Sequence, residues 1–388
     1  MTTRVQFPRR GPARVSCRPL PISPEEITRE WLTAALSSQS PGVEVRDFKI
    51  VDIIRGTSTK IRVRLELNDA GRRAGIPELV ILKGGFEQHG REVGHLGEMH
   101  RREVHGYREV LSTLKLPSPK AYFADYEPER QQGIIIMEDL VARGVTFCSA
   151  LKPQTHEQVA RRLTALAQFH AQTWGAADAS QFQPGGQWGD FPDFLEVCRP
   201  FFDKYTEPER WYGFVASPRG ASVSVRFHDH NWMIDAFDRM MQFSAQLPHC
   251  ILHGDIHLGN LYIDPDGSPG FFDTLAARGP GMLEVSYHIS ASVDVADRPR
   301  WERSLVQHYL DELGRNGVDA PRFDEAMRQY GIFLVYGYFI WMTTESQFQT
   351  ESTNTANASR VCAAMLEHDV VNLLKTIEVK HAVGREAR

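Results

Sequence analysis

The sequence lacks the features that mark secreted, membrane-spanning or nucleic-acid-binding chains. Its five cysteines (Cys17, Cys148, Cys198, Cys250 and Cys362) are odd in number, far apart and never in a Cys-x-x-Cys arrangement. That usage fits reduced thiols and excludes a disulfide framework. No apolar run approaches the roughly 18 residues that a membrane span needs. Positive charge is not in excess: 44 Lys and Arg against 49 Asp and Glu leave a net charge of −5, which offers neither a basic field for nucleic acid nor a polybasic membrane patch. Arg4, Arg9, Arg10, Arg14 and Arg18 lie among prolines with no apolar stretch behind them, so the start does not read as a secretory signal. Repeats and low-complexity tracts are also missing. The expectation is a soluble cytoplasmic chain of 388 residues, 42% hydrophobic and 24% charged, forming two to three domains or one large fold of two lobes.

Residues 1–22, rich in Pro and Arg, read as a flexible arm. Ser23-Pro24-Glu25-Glu26 reads as a helix start, with Ser23 as N-cap and Glu26 reaching back. Ile27, Trp31, Ala34 and Ala35 follow at helical spacing. The period then changes to two: Ile61, Val63, Leu65 and Leu67 alternate with Arg62, Arg64 and Glu66, a half-buried antiparallel strand. Further strands are expected at 79–83, 121–126 and 133–138, with a charged helix over 96–114. These make an α+β nucleotide-binding lobe at 23–140. Beyond it, over 141–388, the patterning is mainly helical. Thr155-His156-Glu157-Gln158 is a capping box, and Val159, Leu163, Leu166 and His170 mark one face, with His170 read as a core histidine. Residues 174–214 and 323–348 are dense in aromatics. Asn357-Ala358-Ser359 matches a glycosylation acceptor by chance.

The chemistry lies between Ile251 and Asp273. Leu261-Tyr262-Ile263, a turn at Asp264-Pro265-Asp266-Gly267 and Phe271-Phe272 form a hairpin signature. It holds Asp255 and Asn260 before it and Asp273 at its far end. In protein kinases the catalytic loop His-Arg-Asp-Leu-x-x-x-Asn supplies a base Asp and, five residues later, a magnesium-binding Asn. His253-Gly254-Asp255-Ile256-His257-Leu258-Gly259-Asn260 keeps that interval. Asp255 is therefore the candidate base, and Asn260 and Asp273 the candidate Mg2+ ligands. Lys83 ends an apolar strand, where a phosphate-pairing cation is expected. Glu103 is the acid chosen to orient it, with Glu98 and Glu109 as competitors. Arg55-Gly56-Thr57-Ser58-Thr59 either covers phosphates or is an ordinary hairpin turn.

Together these pieces resemble the aminoglycoside phosphotransferase and choline kinase superfamily, and most closely its ecdysteroid-kinase-like branch. The resemblance rests on Gly56-Thr57-Ser58, Lys83, Glu103-x-x-x-Tyr107, Met137-Glu138-Asp139-Leu140, Ala165-Leu166-Ala167-Gln168-Phe169-His170-Ala171 and His253-Gly254-Asp255-x-His257-x-x-Asn260, and spans about residues 25–375. It implies a bilobal protein-kinase-like fold with a small antiparallel-sheet lobe and a larger helical lobe. It also implies ATP (or GTP) in the interlobe cleft and γ-phosphate transfer to the hydroxyl of a small molecule. Backbone at Glu138 and Leu140 would then hold the purine, with Asp139 structural. Glu284 stands where an Asp is usual and is expected to support the catalytic loop. His253 and His257 are expected to be scaffold. Thr274-Leu275 depart from the usual aromatic and polar pair after the metal-binding Asp.

Three rivals stand against this. A metallophosphatase would share Gly254-Asp255-x-His257, but its Gly-Asp-x-x-Asp and Gly-Asn-His do not follow. A protein kinase would need an arginine at Gly254 and an Ala-Pro-Glu after Asp273. An inactive nucleotide-binding regulatory module would be expected to lose one of Lys83, Asp255, Asn260 and Asp273, and all four are present. The aromatic segments tilt the acceptor toward a bulky apolar alcohol, if they do not merely build core.

Overall fold

The alternating stretch at 60–67 becomes the second strand of a five-stranded antiparallel sheet in a computed structural model that describes residues 17–56, 58–87, 96–175, 179–183, 185–189 and 191–377. The strands are β1 (Val45–Ile54), β2 (Thr59–Leu67), β3 (Leu79–Gly84), β4 (Ala121–Glu127) and β5 (Gln132–Glu138), in the order β1-β2-β3-β5-β4. The longer helices beside them are α1 (Arg29–Ser37) and α2 (Leu96–His105). One sheet face buries Ile61, Val63, Leu65, Val80, Leu82, Ile134 and Ile136 with Leu32, Ala35 and Leu36 of α1. Each buried Val, Leu or Ile side chain among them contributes about 1.5–3 kcal/mol of transfer free energy. β1 was not legible because its pairing with β2 shifts register at Val45/Asp47 and Ile50/Asp52, which breaks the alternation.

The leading helix starts later than Ser23 suggests. Pro24–Glu26 is a single 3-10 turn with no side-chain cap, and Glu26 accepts from Ile22 N (3.2 Å) instead of closing a capping box. The cap is Thr28, whose hydroxyl accepts from Trp31 N (3.1 Å). The arm expected at 1–22 is packed from Cys17 onward: Leu20 is buried and its N–H donates to Glu127 at 2.7 Å. Residues 1–16 lie outside the described residues.

The chain forms two compact units, Met1–Arg108 with Lys120–Ala142, and Glu109–Pro119 with Arg143–Arg388. The second unit holds α3 (His156–Ala171), α4 (Phe194–Tyr205), α5 (His230–Ser244), α6 (Gly281–Ser292), α7 (Arg298–Arg315), α8 (Phe323–Thr343) and α9 (Glu351–Glu367). Small strands join them: β6 (Thr146–Phe147), β7 (Cys250–Leu252), β8 (Leu261–Ile263), β9 (Pro269–Phe271) and β10 (Ala277–Gly279). The sheets are β6-β8-β9 and β10-β7. Phe271 N also donates to Pro117 O (2.9 Å), so the 109–119 segment bonds β9 at that point. Both bonds of the Thr155–Gln158 capping box form. All twelve residues of α6 are buried, which leaves it no amphipathic period to read. Most of the aromatics in the two dense segments, among them Trp188, Phe194, Phe202, Tyr205, Trp211, Tyr330, Phe333, Tyr338 and Trp341, sit in this unit's core. Their number is therefore no measure of an acceptor pocket. Asn357 is buried in α9. Among the described residues, no helix is long and apolar enough to cross a membrane.

Candidate active site

In the first unit, the two-residue period of β3 turns Val80 and Leu82 to one face and Lys83 to the other. There its Nζ lies 2.5 Å from Glu103 Oε1 of α2, with both side chains buried (5% and 6% exposed). Glu103 is thus the acid beside Lys83, while Glu98 pairs with Arg101 at 2.5 Å. Gly84, next in the strand, must be glycine, because a Cβ there would fall 2.4 Å from Gly133 O. Gly56 and Ser58 lie in the connection from β1 to β2, and Thr57 lies outside the described residues. A Cβ on Gly56 would meet Ser58 O only at 3.6 Å, so contacts within the protein do not demand this glycine. Glu138 ends β5, its N–H donating to Lys120 O (2.9 Å), and Leu140 opens the short helix Leu140–Arg143. Asp139 between them is structural: it accepts from Val141 N and Ala142 N and takes Arg62 Nε at 2.5 Å.

The second unit gathers Asp255, Asn260 and Asp273. Pairing of β8 with β9 sets Leu261 opposite Phe271, and Phe272 N donates to Asn260 O (3.0 Å). Asn260 and Asp273 thus come from neighbouring ends of one hairpin. Asn260 Nδ2 donates to Asp255 Oδ2 (2.9 Å) and to Asp255 O (3.0 Å). Its amide oxygen is thereby turned away from the carboxylate. Asp273 adopts φ +59, a left-handed conformation that Asp tolerates better than most residues. After Asp273, Thr274 Oγ1 (2.9 Å) and Leu275 N (2.8 Å) both donate to His253 O; only the first of these bonds depends on the side chain. The donors fit Mg2+, a hard cation that takes one or two protein oxygens and leaves the rest to water and phosphate. Among the described residues no three His, Cys, Asp or Glu side chains cluster as a metal site.

Gly254 adopts φ +92, and a Cβ on it would lie 2.2 Å from Leu275 O. The arginine of a protein-kinase loop could not stand there. Glu284 of α6 holds this turn from beneath, accepting from Gly254 N (2.7 Å), His253 N (3.3 Å) and His170 Nε2 (2.9 Å). Burial alone would raise its carboxyl pKa, yet the His170 bond, the two nearby histidines and the Gly254 N–H leave it below the usual range. His170 is a core histidine that also links two polar groups. Its Nδ1 is 2.8 Å from the Tyr309 hydroxyl, so Tyr309, His170 and Glu284 form one buried chain to the loop. Sequence reasoning placed Glu284 there but missed Tyr309, which only a folded contact reveals. Burial holds His253 below its ordinary value against the pull of Glu284, Asp255 and Asp273, and its Nδ1 accepts from Asp255 N at 3.3 Å. Burial, with Asp255 nearby, pushes the Tyr287 phenol well up.

Three structures give the scale of likeness. Amicoumacin kinase hAmiN, solved with AMP-PNP, Ca2+ and Ami, is 12% identical over 85% of this chain and 88% of its own, with a TM-score of 0.49. The choline kinase LicA from Streptococcus pneumoniae is 11% identical over 89% of this chain and 98% of its own, at 0.45. APH(2")-IIIa, solved with GDP and kanamycin, is 11% identical over 88% and 99%, at 0.47. No curated protein sequence matches. A sequence model of the ecdysteroid kinase-like family matches residues 57–317, about two thirds of the chain, from the β1–β2 connection past the Asp255 loop and Glu284. The chain belongs to the ecdysteroid kinase-like family.

Proposed function

We propose that the chain is a phosphotransferase that moves the terminal phosphate of ATP, with GTP as the alternative donor, to a hydroxyl of a small molecule. One observation carries this reading: Asn260 holds one oxygen of Asp255 while Asp273 stands at the adjoining end of the same hairpin. The buried Lys83–Glu103 pair and the family's name support it.

In this reading Asp255 accepts the proton of the acceptor hydroxyl. The acceptor oxygen forms a bond to the γ-phosphorus as the bond to the β,γ-bridging oxygen breaks, and that electron pair leaves on the nucleoside diphosphate. Lys83, oriented by Glu103, offsets phosphate charge. The backbone around Gly56 and Ser58 approaches the phosphates, and Thr57 belongs to the same proposal. The backbone of Glu138 and Leu140 holds the purine. Asn260 and Asp273 hold Mg2+, which when bound neutralises charge on the phosphate oxygens. Trp341, whose ring meets His257 edge-on, and Tyr287, stacked on Trp341, are buried in the core, so they do not favour a bulky apolar alcohol over a polar one as acceptor. The free thiols of Cys148, Cys250 and Cys362 support a reducing, cytoplasmic setting.

The test is a panel of an ecdysteroid, kanamycin and choline with MgATP, read as ADP release and as a product heavier by one phosphate. Asp255→Ala is expected to lower turnover by about 10²–10⁴-fold with nucleotide affinity retained. Nucleotide binding without any turnover would instead indicate a regulatory module.

A further inference from the structure

The catalytic loop carries a second side chain aimed at Asp255. His257 Nδ1 accepts from Gly259 N at 2.9 Å. An accepting Nδ1 has no hydrogen, so the ring of a neutral histidine carries it on Nε2. Nε2 lies 3.6 Å from Asp255 Oδ2. That is longer than a hydrogen bond, but catalytic contacts often tighten only in a loaded site. The ring has little freedom to turn away. Trp341 meets it edge-on at 5.4 Å and 86°, and Gly259 admits it only by lacking a side chain, since a Cβ there would fall 2.6 Å from Cε1 and 2.9 Å from Nδ1.

Both donors that approach the carboxylate converge on the same oxygen. Asn260 Nδ2 bonds Oδ2 at 2.9 Å, and His257 Nε2 faces Oδ2 as well. Among the described residues, no hydrogen bond reaches Oδ1. We propose that His257 is a positioning residue for Asp255: with Asn260 it fixes Oδ2, so that Oδ1 is the atom that takes the proton of the acceptor hydroxyl. The inference rests on the phosphotransferase reading and adds to it the identity of the accepting atom and the residue that orients it. Holding one oxygen sets the plane of the carboxylate. Orientation of this kind affects the chemical step more than nucleotide binding.

A purely structural His257, fastening the loop through Nδ1 alone, would look alike in most assays. Two substitutions separate the roles. His257→Asn retains an acceptor near the Nδ1 position, able to meet Gly259 N, but has no donor that reaches Asp255. His257→Gln retains a donor near the Nε2 position but loses the bond to Gly259. Both variants and the wild type are assayed with MgATP and the acceptor panel for kcat and KM(ATP), alongside thermal unfolding. The expected result is that Gln keeps at least about 10-fold more kcat than Asn while Asn keeps the higher Tm, with KM(ATP) changed less than kcat in both. Equal kcat in the two variants, or a kcat that simply follows Tm, would overturn the positioning role. If the wild type releases no ADP with any acceptor, the phosphotransferase reading fails, and this inference with it.

Discussion

Glu284→Gln tests whether the catalytic loop is held from below by a single carboxylate. The two oxygens of Glu284 accept three buried N–H groups, Gly254 on Oε1 and His253 and His170 on Oε2. An amide keeps the volume but turns one oxygen into a donor. In its better orientation the amide nitrogen faces Gly254 N–H, and in the other it faces two donors. At least one buried N–H is left without an acceptor, at a cost of about 1–3 kcal/mol. Glu284→Ala loses all three acceptors and leaves a void, for about 3–5 kcal/mol. Urea unfolding at pH 7 measures both as midpoint shifts. The pH dependence supplies a second reading. The folded-state carboxyl pKa is held below its unfolded value, so this stabilisation is complete above the unfolded carboxylate pKa of about 4.3 and is lost as pH falls through the lower folded value. The gap between wild type and Gln should therefore narrow below about pH 4. A Gln midpoint equal to wild type at pH 7, or a gap that stays constant into acid, would refute the clamp.

Gly254→Ala should destabilise by more than about 2 kcal/mol in the same assay, because it combines a positive φ with a Cβ 2.2 Å from Leu275 O; a smaller shift would mean that the turn relaxes easily. Lys83→Met removes the ammonium beside buried Glu103 and should cost about 3–5 kcal/mol, with Lys83→Met/Glu103→Met recovering most of it; a double variant no better than the single would contradict the ion-pair reading. His288 is pushed down to about 3 by burial first and by Arg162 second, against its bond to Ile256 O. The unfolded chain gains this proton from about pH 6.5 downward and the folded chain does not. Stability is therefore whole above about pH 6.5 and falls by about 2 kcal/mol at pH 5. His288→Gln should flatten the stability curve between pH 6.5 and 4, with His253 retaining part of the slope; an unchanged curve would count against a neutral buried His288.

The strands with clean alternation and the helix with a complete capping box were legible because local chemistry alone specifies them. Ile61 to Leu67 needed only the period of the pleat, and Thr155 to Gln158 needed only reciprocal hydrogen bonds. β1 and the leading helix were harder to read. Bulges interrupt the first, and Ser23 offers an N-cap that the folded chain leaves for Thr28 five residues on. At the site, the interval from Asp255 to Asn260 was readable because a short loop fixes it, and Lys83 because it lies near the end of an apolar strand. The partner of Lys83 needed the folded contact, since a helix carries several acids within one reach. The Tyr309–His170–Glu284 chain joins residues more than a hundred positions apart, so no local pattern could announce it. The aromatic segments misled for the opposite reason: their density is conspicuous in sequence, but burial assigns most of them to packing.

Because residues 109–119 fold with the second unit while 120–142 fold with the first, neither unit is a continuous piece of polypeptide. An exchange of halves with a relative at a single junction near residue 142 would therefore separate Pro117 from Phe271, whose N–H it accepts. The strand that leads to Asp273 would then border a foreign segment. Productive chimeras of this chain should need three junctions, with the short inserted stretch travelling alongside the helical partner it serves.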